Sequence, residues 1–269
     1  MSPLNQLVIG IKGAGEMASA VAWRLFSAHF HKICMMEKDH PLAVRREVSY
    51  CEAVIEGSKK VEDVEAVIVR GLKGIQDAWQ NRKIAVIIDP EWKIVQKVHP
   101  NVMVDAILAK KNLGTTLAEA RLVIGLGPGF CAGKDVHMVV ETNRGHNLGR
   151  IITSGCAEPN TGIPGSIGGQ SVKRVLRAPT TGLFRAHCSI GDLVKNGDPI
   201  GSVAKLEIRA EIDGILRGLI RSGTKVVAGL KLGDIDPRGE REFCYTISDK
   251  ARAIAGSVLE AVLRIYNSN

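Results

Sequence analysis

Aromatic side chains are scarce: Phe, Trp and Tyr make up 4% of the 269 residues. That is too few to build the stacking platforms on which single-stranded nucleic acids are held. No apolar run approaches the roughly 20 residues of a membrane span. The opening, Met1-Ser2-Pro3-Leu4-Asn5-Gln6, has no basic stretch ahead of an apolar one, so no secretory signal is predicted and a cytoplasmic protein is expected. Among the six cysteines (Cys34, Cys51, Cys131, Cys156, Cys188, Cys244) there is no C-x-x-C pair. An even count does not make a disulfide framework in a chain of this length without an export signal, so reduced thiols are expected. Local spacing assembles no structural zinc site, and no metal is predicted. A concentrated basic stripe is missing too. The formal net charge is +8, but the basic residues fall in short scattered groups such as Arg45-Arg46, Lys59-Lys60 and Lys110-Lys111. Nucleic acid is therefore not an expected partner, whereas anionic small molecules or an acidic protein surface suit the charge.

What is present is the composition of a globular chain, 45% hydrophobic and 24% charged, with room for one large domain or two modest ones. The chain is organised around Gly13-Ala14-Gly15-Glu16-Met17-Ala18, preceded by the β-branched run Leu7-Val8-Ile9-Gly10-Ile11. Such a run reads as a buried parallel strand, and the spacing of Met17, Val21 and Leu25 reads as a helix. In a dinucleotide fold Gly13 makes the tight turn, Gly15 lets a pyrophosphate reach the backbone, and Ala18 permits close helix–strand packing. The helix start, with Glu16 and Met17, then favours an anion. Glu37 closes the next apolar run at the spacing of a ribose-binding carboxylate. A helix is predicted from Pro41, and its Arg45 and Arg46 either reach a nucleotide phosphate or form a charged helix face.

Further apolar runs at 66–69, 84–88, 102–106 and 122–125 read as strands of a mostly parallel sheet. The last leads into Gly125-Leu126-Gly127-Pro128-Gly129, a second backbone-exposing loop suited to an anion. The densest polar stretch follows, with Cys131, Asp135, His137, Glu141, Asn143 and Arg144. If residues 135–143 form one strand, Asp135, His137, Glu141 and Asn143 share a face, which is either solvated or lines a cleft.

Residues 1–150 are thus predicted to form a Rossmann-like nucleotide- or anion-binding domain, with 151–172 as a loop-rich connector. Residues 173–238 carry an internal repeat: an A-x-x-x-G opening at Ala178 and Ala210, then G-x-x-V-x-x-G at Gly191–Gly197 and Gly223–Gly229. This resembles the barrel-sandwich hybrid of biotinyl- and lipoyl-like domains. Residues 239–269 end in an amphipathic helix capped by Ser248 or Asp249 and predicted to dock on the first domain. The expected fold class is α/β: a parallel-sheet domain, a small all-β hybrid, and a C-terminal helix.

Taken together, Gly13-Ala14-Gly15, Pro41–Arg46, Asp105–Gly114, Gly125–Gly133, Glu141–Arg150, Glu158–Gly165, Gly233–Arg238 and Ser248-Asp249-Lys250 resemble the YqeB family. Those proteins are accessory factors of selenium-dependent molybdenum hydroxylases, related to the XdhC-type factors that serve enzymes of the xanthine dehydrogenase class. The resemblance implies a maturation role, loading labile selenium or sulfur onto the molybdenum cofactor, with a hydroxylase or its cofactor-assembly proteins as partners. Cys131 or Cys156 would be the carrier thiolate; Asp135, His137 and Glu141 would line the cleft with Asn143 and Arg144. The ligand would be an NAD(P)-like nucleotide or molybdopterin. Two other readings stay open: an NAD(P)-dependent oxidoreductase using Glu37 and His137, and a non-catalytic scaffold. The sequence leaves the oligomeric state open.

Overall fold

A computed structural model describes residues 3–267. Met1, Ser2, Ser268 and Asn269, which bound the outermost ranges read from the sequence, lie outside the described residues. The chain divides into two compact units. The larger contains the chain up to Pro41, then Val48–Asn160, and resumes at Ile247; the smaller contains Leu42–Glu47 and Thr161–Thr246.

The larger unit opens with β1 (Val8–Lys12), α1 (Glu16–Ser27) and β2 (Lys32–Glu37). It continues through α2 (Ala53–Glu56), β3 (Ser58–Val61), β4 (Val64–Val69), α3 (Gly71–Gln80), β5 (Ile84–Ile88), α4 (Val95–Val98), β6 (Val102–Asp105) and β7 (Leu122–Leu126). Then come β8 (Cys131–Ala132), β9 (Met138–Val140), β10 (Ile151–Ile152) and β11 (Gly155–Cys156). Nine of these strands form one sheet in the order β10-β9-β7-β6-β1-β2-β5-β4-β3, while β8 and β11 pair separately. Interior neighbours run parallel. At the margins β3 pairs β4 and β10 pairs β9 antiparallel. Burial explains the strand sequences: Leu7, Ile9, Ile11, Ile33, Met35, Ile84, Val86, Val102 and Val104 are fully buried, as central strands covered on both faces require. The closing helix α5 (Asp249–Tyr266) starts at Ser248, whose hydroxyl accepts from the Ala251 N–H. Its buried Ala251, Ile254, Ala255, Val258, Ala261 and Val262 lie on one stripe, and the helix packs against α1.

The smaller unit has eight strands: β12 (Val175–Arg177), β13 (Gly182–Ala186), β14 (Leu193–Val194), β15 (Pro199–Val203), β16 (Leu206–Arg209), β17 (Gly214–Leu219), β18 (Lys225–Val226) and β19 (Lys231–Asp236). They form two four-stranded antiparallel sheets, β12-β19-β17-β14 and β16-β15-β13-β18. Leu176, Phe184, Val194, Val203, Ile208, Leu216, Val226 and Leu232, one from each strand, share a single core.

These pairings correct the architecture read from the sequence. In place of a parallel Rossmann-like sheet followed by a biotinyl/lipoyl-like hybrid, the chain builds a mixed nine-stranded sheet, the two-stranded β8–β11 pair and two four-stranded antiparallel sheets. Apolar runs locate strands but carry no direction; β3 and β4, joined by only Glu62-Asp63, have no length for a parallel crossover. The repeat at Ala178 and Ala210 marks turns, yet it gives no hint that residues 42–47 complete the smaller unit, where Val44 packs on the core. The helix expected from Pro41 does not form; only the short 3-10 turn Arg46–Val48 appears there. Residues 239–246 partition with the smaller unit and α5 with the larger.

Candidate functional site

Because β1, β2, β6, β7 and β9 run the same way, their carboxyl ends deliver Lys12, Glu37, Asp105, Leu126 and Val140 to one edge of the sheet. In open sheets this edge is where ligands bind. The glycine turn follows β1. Gly13 has φ +87°, reachable without strain only by glycine, and its N–H bonds the Met36 carbonyl. Gly15 begins α1 with no side-chain cap and with open space where a Cβ would stand. Ala14 and Ala18 are fully buried, as is Ser19, whose hydroxyl bonds the Ala14 carbonyl and accepts from the Tyr50 N–H. Glu16 accepts from the Ser248 hydroxyl, and Met17 is buried. Glu37 does reach this turn, but its carboxylate accepts from the Ala14 N–H at 3.0 Å and the Lys38 N–H at 2.8 Å.

Beneath the turn Asp105, a strand-end carboxylate the sequence also points to, joins Lys12, Thr115 and Glu119, which sequence reasoning missed. Lys12 is fully buried; its ammonium donates to Thr115 Oγ1 and Glu119 Oε1, both at 2.8 Å, and sits 3.9 Å from the centre of the Trp92 ring. Thr115 in turn donates its hydroxyl hydrogen bond to Asp105 Oδ2 at 2.6 Å. Burial pushes the Asp105 carboxyl up, against the Thr115 and Ile107 hydrogen bonds and the Lys12 charge. Two signals were available: a lysine ending a buried apolar run, and T-x-x-E at Thr116–Glu119, which forms a capping box.

The second glycine loop is closed by its own chain. A side chain at Gly127 would strike Thr142, one at Gly129 would come within 2.5 Å of the Lys111 backbone, and one at Gly125 within 2.5 Å of the Phe130 ring. These glycines give close packing.

The polar stretch differs from the shared strand face expected of it, since β9 spans only Met138–Val140. Asp135 turns back to accept from the Cys131 N–H at 2.9 Å. His137 accepts from the Val123 N–H through Nδ1 at 2.9 Å. Glu141 is buried and its carboxylate accepts from the N–H groups of Thr142, Asn143 and Glu158 at 2.7, 2.6 and 2.7 Å. Asn143 and Asn147 in turn donate to the exposed Glu158 carboxylate at 2.6 and 3.1 Å. Those bonds, with the Asn143 bond first, hold the Glu158 carboxyl below its ordinary value. Arg144 pairs through two nitrogens with Asp249 at the start of α5. Replacing Glu141 by Ala orphans three amide donors; we expect a loss of about 2–4 kcal/mol by urea unfolding, with faster hydrogen exchange at Thr142 and Asn143. Unchanged exchange would show that Glu141 does not anchor the 141–158 loops.

Cys131 and Cys156 are not free thiols as expected. They face each other in the β8–β11 pair and form a disulfide, Cys131 half-buried and Cys156 exposed. The signal was absent because the partners are separated by 25 positions and come together only through that strand pairing. The remaining cysteines are poor nucleophiles: burial, aided by Asp89, pushes Cys34 up to about 12. Burial also raises Cys188 and Cys244. Arg45 and Arg46, read as phosphate ligands or a charged helix face, are bound to backbone carbonyls. Both belong to the smaller unit, where Arg45 donates to the Phe243 and Thr246 carbonyls and Arg46 to that of Leu219. Among the described residues, no group of three His, Cys, Asp or Glu side chains is arranged to hold a metal ion, and no helix is long and apolar enough to cross a membrane.

No family model matches the chain. Over 263 residues it is 48% identical to the uncharacterized protein YqeB of Escherichia coli (strain K12), covering 98% of this chain and 48% of that protein. The chain thus spans about half the length of the curated relative it matches. Among solved structures it is similar to a succinylglutamate desuccinylase/aspartoacylase from Rhodobacter sphaeroides (25% identity, 24% of this chain, 22% of that chain, TM-score 0.21). It is also similar to an aspartoacylase family protein from Mesorhizobium loti (13% identity, 75% and 56%, TM-score 0.24). A third is the apo ectoine utilization protein EutE from Ruegeria pomeroyi (10% identity, 85% of each chain, TM-score 0.25). At such TM-scores these likenesses carry no argument about fold or activity. The sequence match extends along nearly the whole chain, which is similar to about half of YqeB.

Proposed function

We propose that this chain is a cytoplasmic accessory protein in the maturation of selenium-dependent molybdenum hydroxylases. It handles the labile selenium or sulfur of the molybdenum cofactor for a hydroxylase or its assembly proteins. A nucleotide or pterin phosphate is seated at the start of α1. The observation that carries this reading is an accessible sulfur pair, Cys131–Cys156, in the same unit as a helix start that no side chain caps. The open space at Gly15 and the helix dipole suit a phosphate, and the net charge of +8 suits an anionic ligand. An oxidoreductase reading finds less support, since Glu37 and His137 are engaged with backbone amides.

The test is deletion of the gene in a host whose hydroxylase requires selenium. The hydroxylase should lose most of its activity together with the selenium of its cofactor, and both should return on re-expression. Unaltered activity and selenium content in the deletion strain would end the proposal.

A further inference from the structure

We propose that Cys131 and Cys156 are a reversible dithiol–disulfide couple that accepts one sulfane sulfur or selenium atom from a low-molecular-weight persulfide or selenopersulfide and releases it as sulfide or selenide. This rests on the reading above and gives its sulfur pair a chemistry. The geometry assigns the two positions different roles. Cys156 lies on β11, both of whose residues are exposed, so it meets the donor. Cys131 is half-buried directly opposite, the less accessible of the two, and faces the sulfur of Cys156.

The steps balance. The Cys156 thiolate attacks the terminal sulfur of the donor persulfide, forming a Cys156 persulfide and expelling the donor's thiolate. The Cys131 thiolate then attacks the inner sulfur of Cys156, forming the disulfide and expelling the outer atom as hydrosulfide. The dithiol gives up two electrons and the sulfane atom takes both; with selenium the expelled species is hydroselenide. Two molecules of a thiol reductant, or one dithiol protein, restore the couple and leave as a disulfide. In a reducing cytoplasm an exposed disulfide is more often such a working couple than a structural staple. The buried Cys34, Cys51 and Cys244 offer no competing accessible thiol, and half-buried Cys188 lies in the smaller unit with its thiol raised by burial, Asp192 and Asp198.

The experiment uses the whole 269-residue chain, reduced and then exposed anaerobically to glutathione persulfide. Sulfide release is measured, and intact mass follows each intermediate. The unaltered chain should release one equivalent of sulfide and lose two hydrogens. Cys131→Ser should retain one added sulfur on Cys156 and release none; Cys156→Ser should do neither; Cys188→Ser should behave as the unaltered chain. Circular dichroism establishes that each variant is folded, and Cys131→Ala serves where Cys131→Ser is not. Sulfide release by the Cys131→Ser/Cys156→Ser double variant equal to that of the unaltered chain, or no persulfide trapped on Cys156 in Cys131→Ser, overturns the couple. Hydroxylase maturation that persists in cells carrying the double variant removes the couple while leaving the accessory role; loss of dependence on the gene itself removes the accessory role.

Discussion

Replacing Lys12 by Met should destabilise the larger unit by about 3–5 kcal/mol, the range found when one partner of a buried ion pair is removed. The methionine stem still packs on Trp92, so the loss is electrostatic. Lys12 is the cation facing Asp105 and Glu119, and the Glu119 Oε2 atom is already buried without a hydrogen-bond partner. Combining Lys12→Met with Glu119→Gln should recover at least half of the loss. Asp105→Asn should move the other way. Its carboxyl is raised in the folded chain, mainly by burial, so ionisation above the unfolded value near ~4 weakens folding, and an amide removes that cost. Urea unfolding of the three variants at neutral pH decides the matter. A Lys12→Met protein within about 1 kcal/mol of the parent would mean that the cluster is hydrated and its charges are cheap.

Asp234→Ala should damage the smaller unit to a similar extent, about 3–5 kcal/mol. Asp234 accepts from both Arg174 and Arg217, and all three are buried. Arg217 continues to Asp236 at 3.2 Å, which Arg238 holds from its other side. Removing Asp234 leaves buried Arg174 with the Gly165 carbonyl in place of a carboxylate, and Arg217 with Asp236 alone. Burial works against the Asp234 charge, yet Lys231, Arg217 and Arg174 hold its carboxyl below the ordinary range. Asp236, opposed by burial and favoured chiefly by Arg238, is lowered as well. Depressed carboxylates contribute stability that is fully present above the unfolded value near ~3.9 and is lost as pH falls through the folded one. Hydrogen exchange at β17 and β19 should therefore accelerate on acidification below about pH 4 in the parent. In Asp234→Asn that response should be flatter and protection already low at neutral pH. Equal protection in parent and variant would sink the account.

The sequence was most readable where burial is continuous. The runs at 84–88 and 102–106 are strands because β-branched chains covered on both faces leave a local record. The turn at Gly13 was equally visible, since a left-handed residue between strand and helix calls for glycine. What escaped depends on partners far along the chain. Arg45 read equally as a phosphate ligand or part of a charged helix face, because the carbonyls of Phe243 and Thr246 that it binds lie some two hundred positions away. Asp135, His137 and Glu141 alternated like one strand face, but each is drawn to a nearby backbone amide, and alternation does not reveal that competition. The Gly125–Gly129 loop shows the same ambiguity from the other side. Glycine admits a phosphate and a neighbouring backbone equally well, and here the neighbours Lys111 and Thr142 take the space.

The interleaving of the two units has a consequence for synthesis on the ribosome. Residues 42–47 emerge early but pack with strands that arrive well over a hundred positions later, and α1 waits for α5 to cover it. An early-made half must therefore keep its apolar surfaces unsatisfied until translation has passed Tyr266. Cutting the chain at residue 160 yields two fragments that each lack a piece of their own interior, so neither half is a self-sufficient module to be expressed alone.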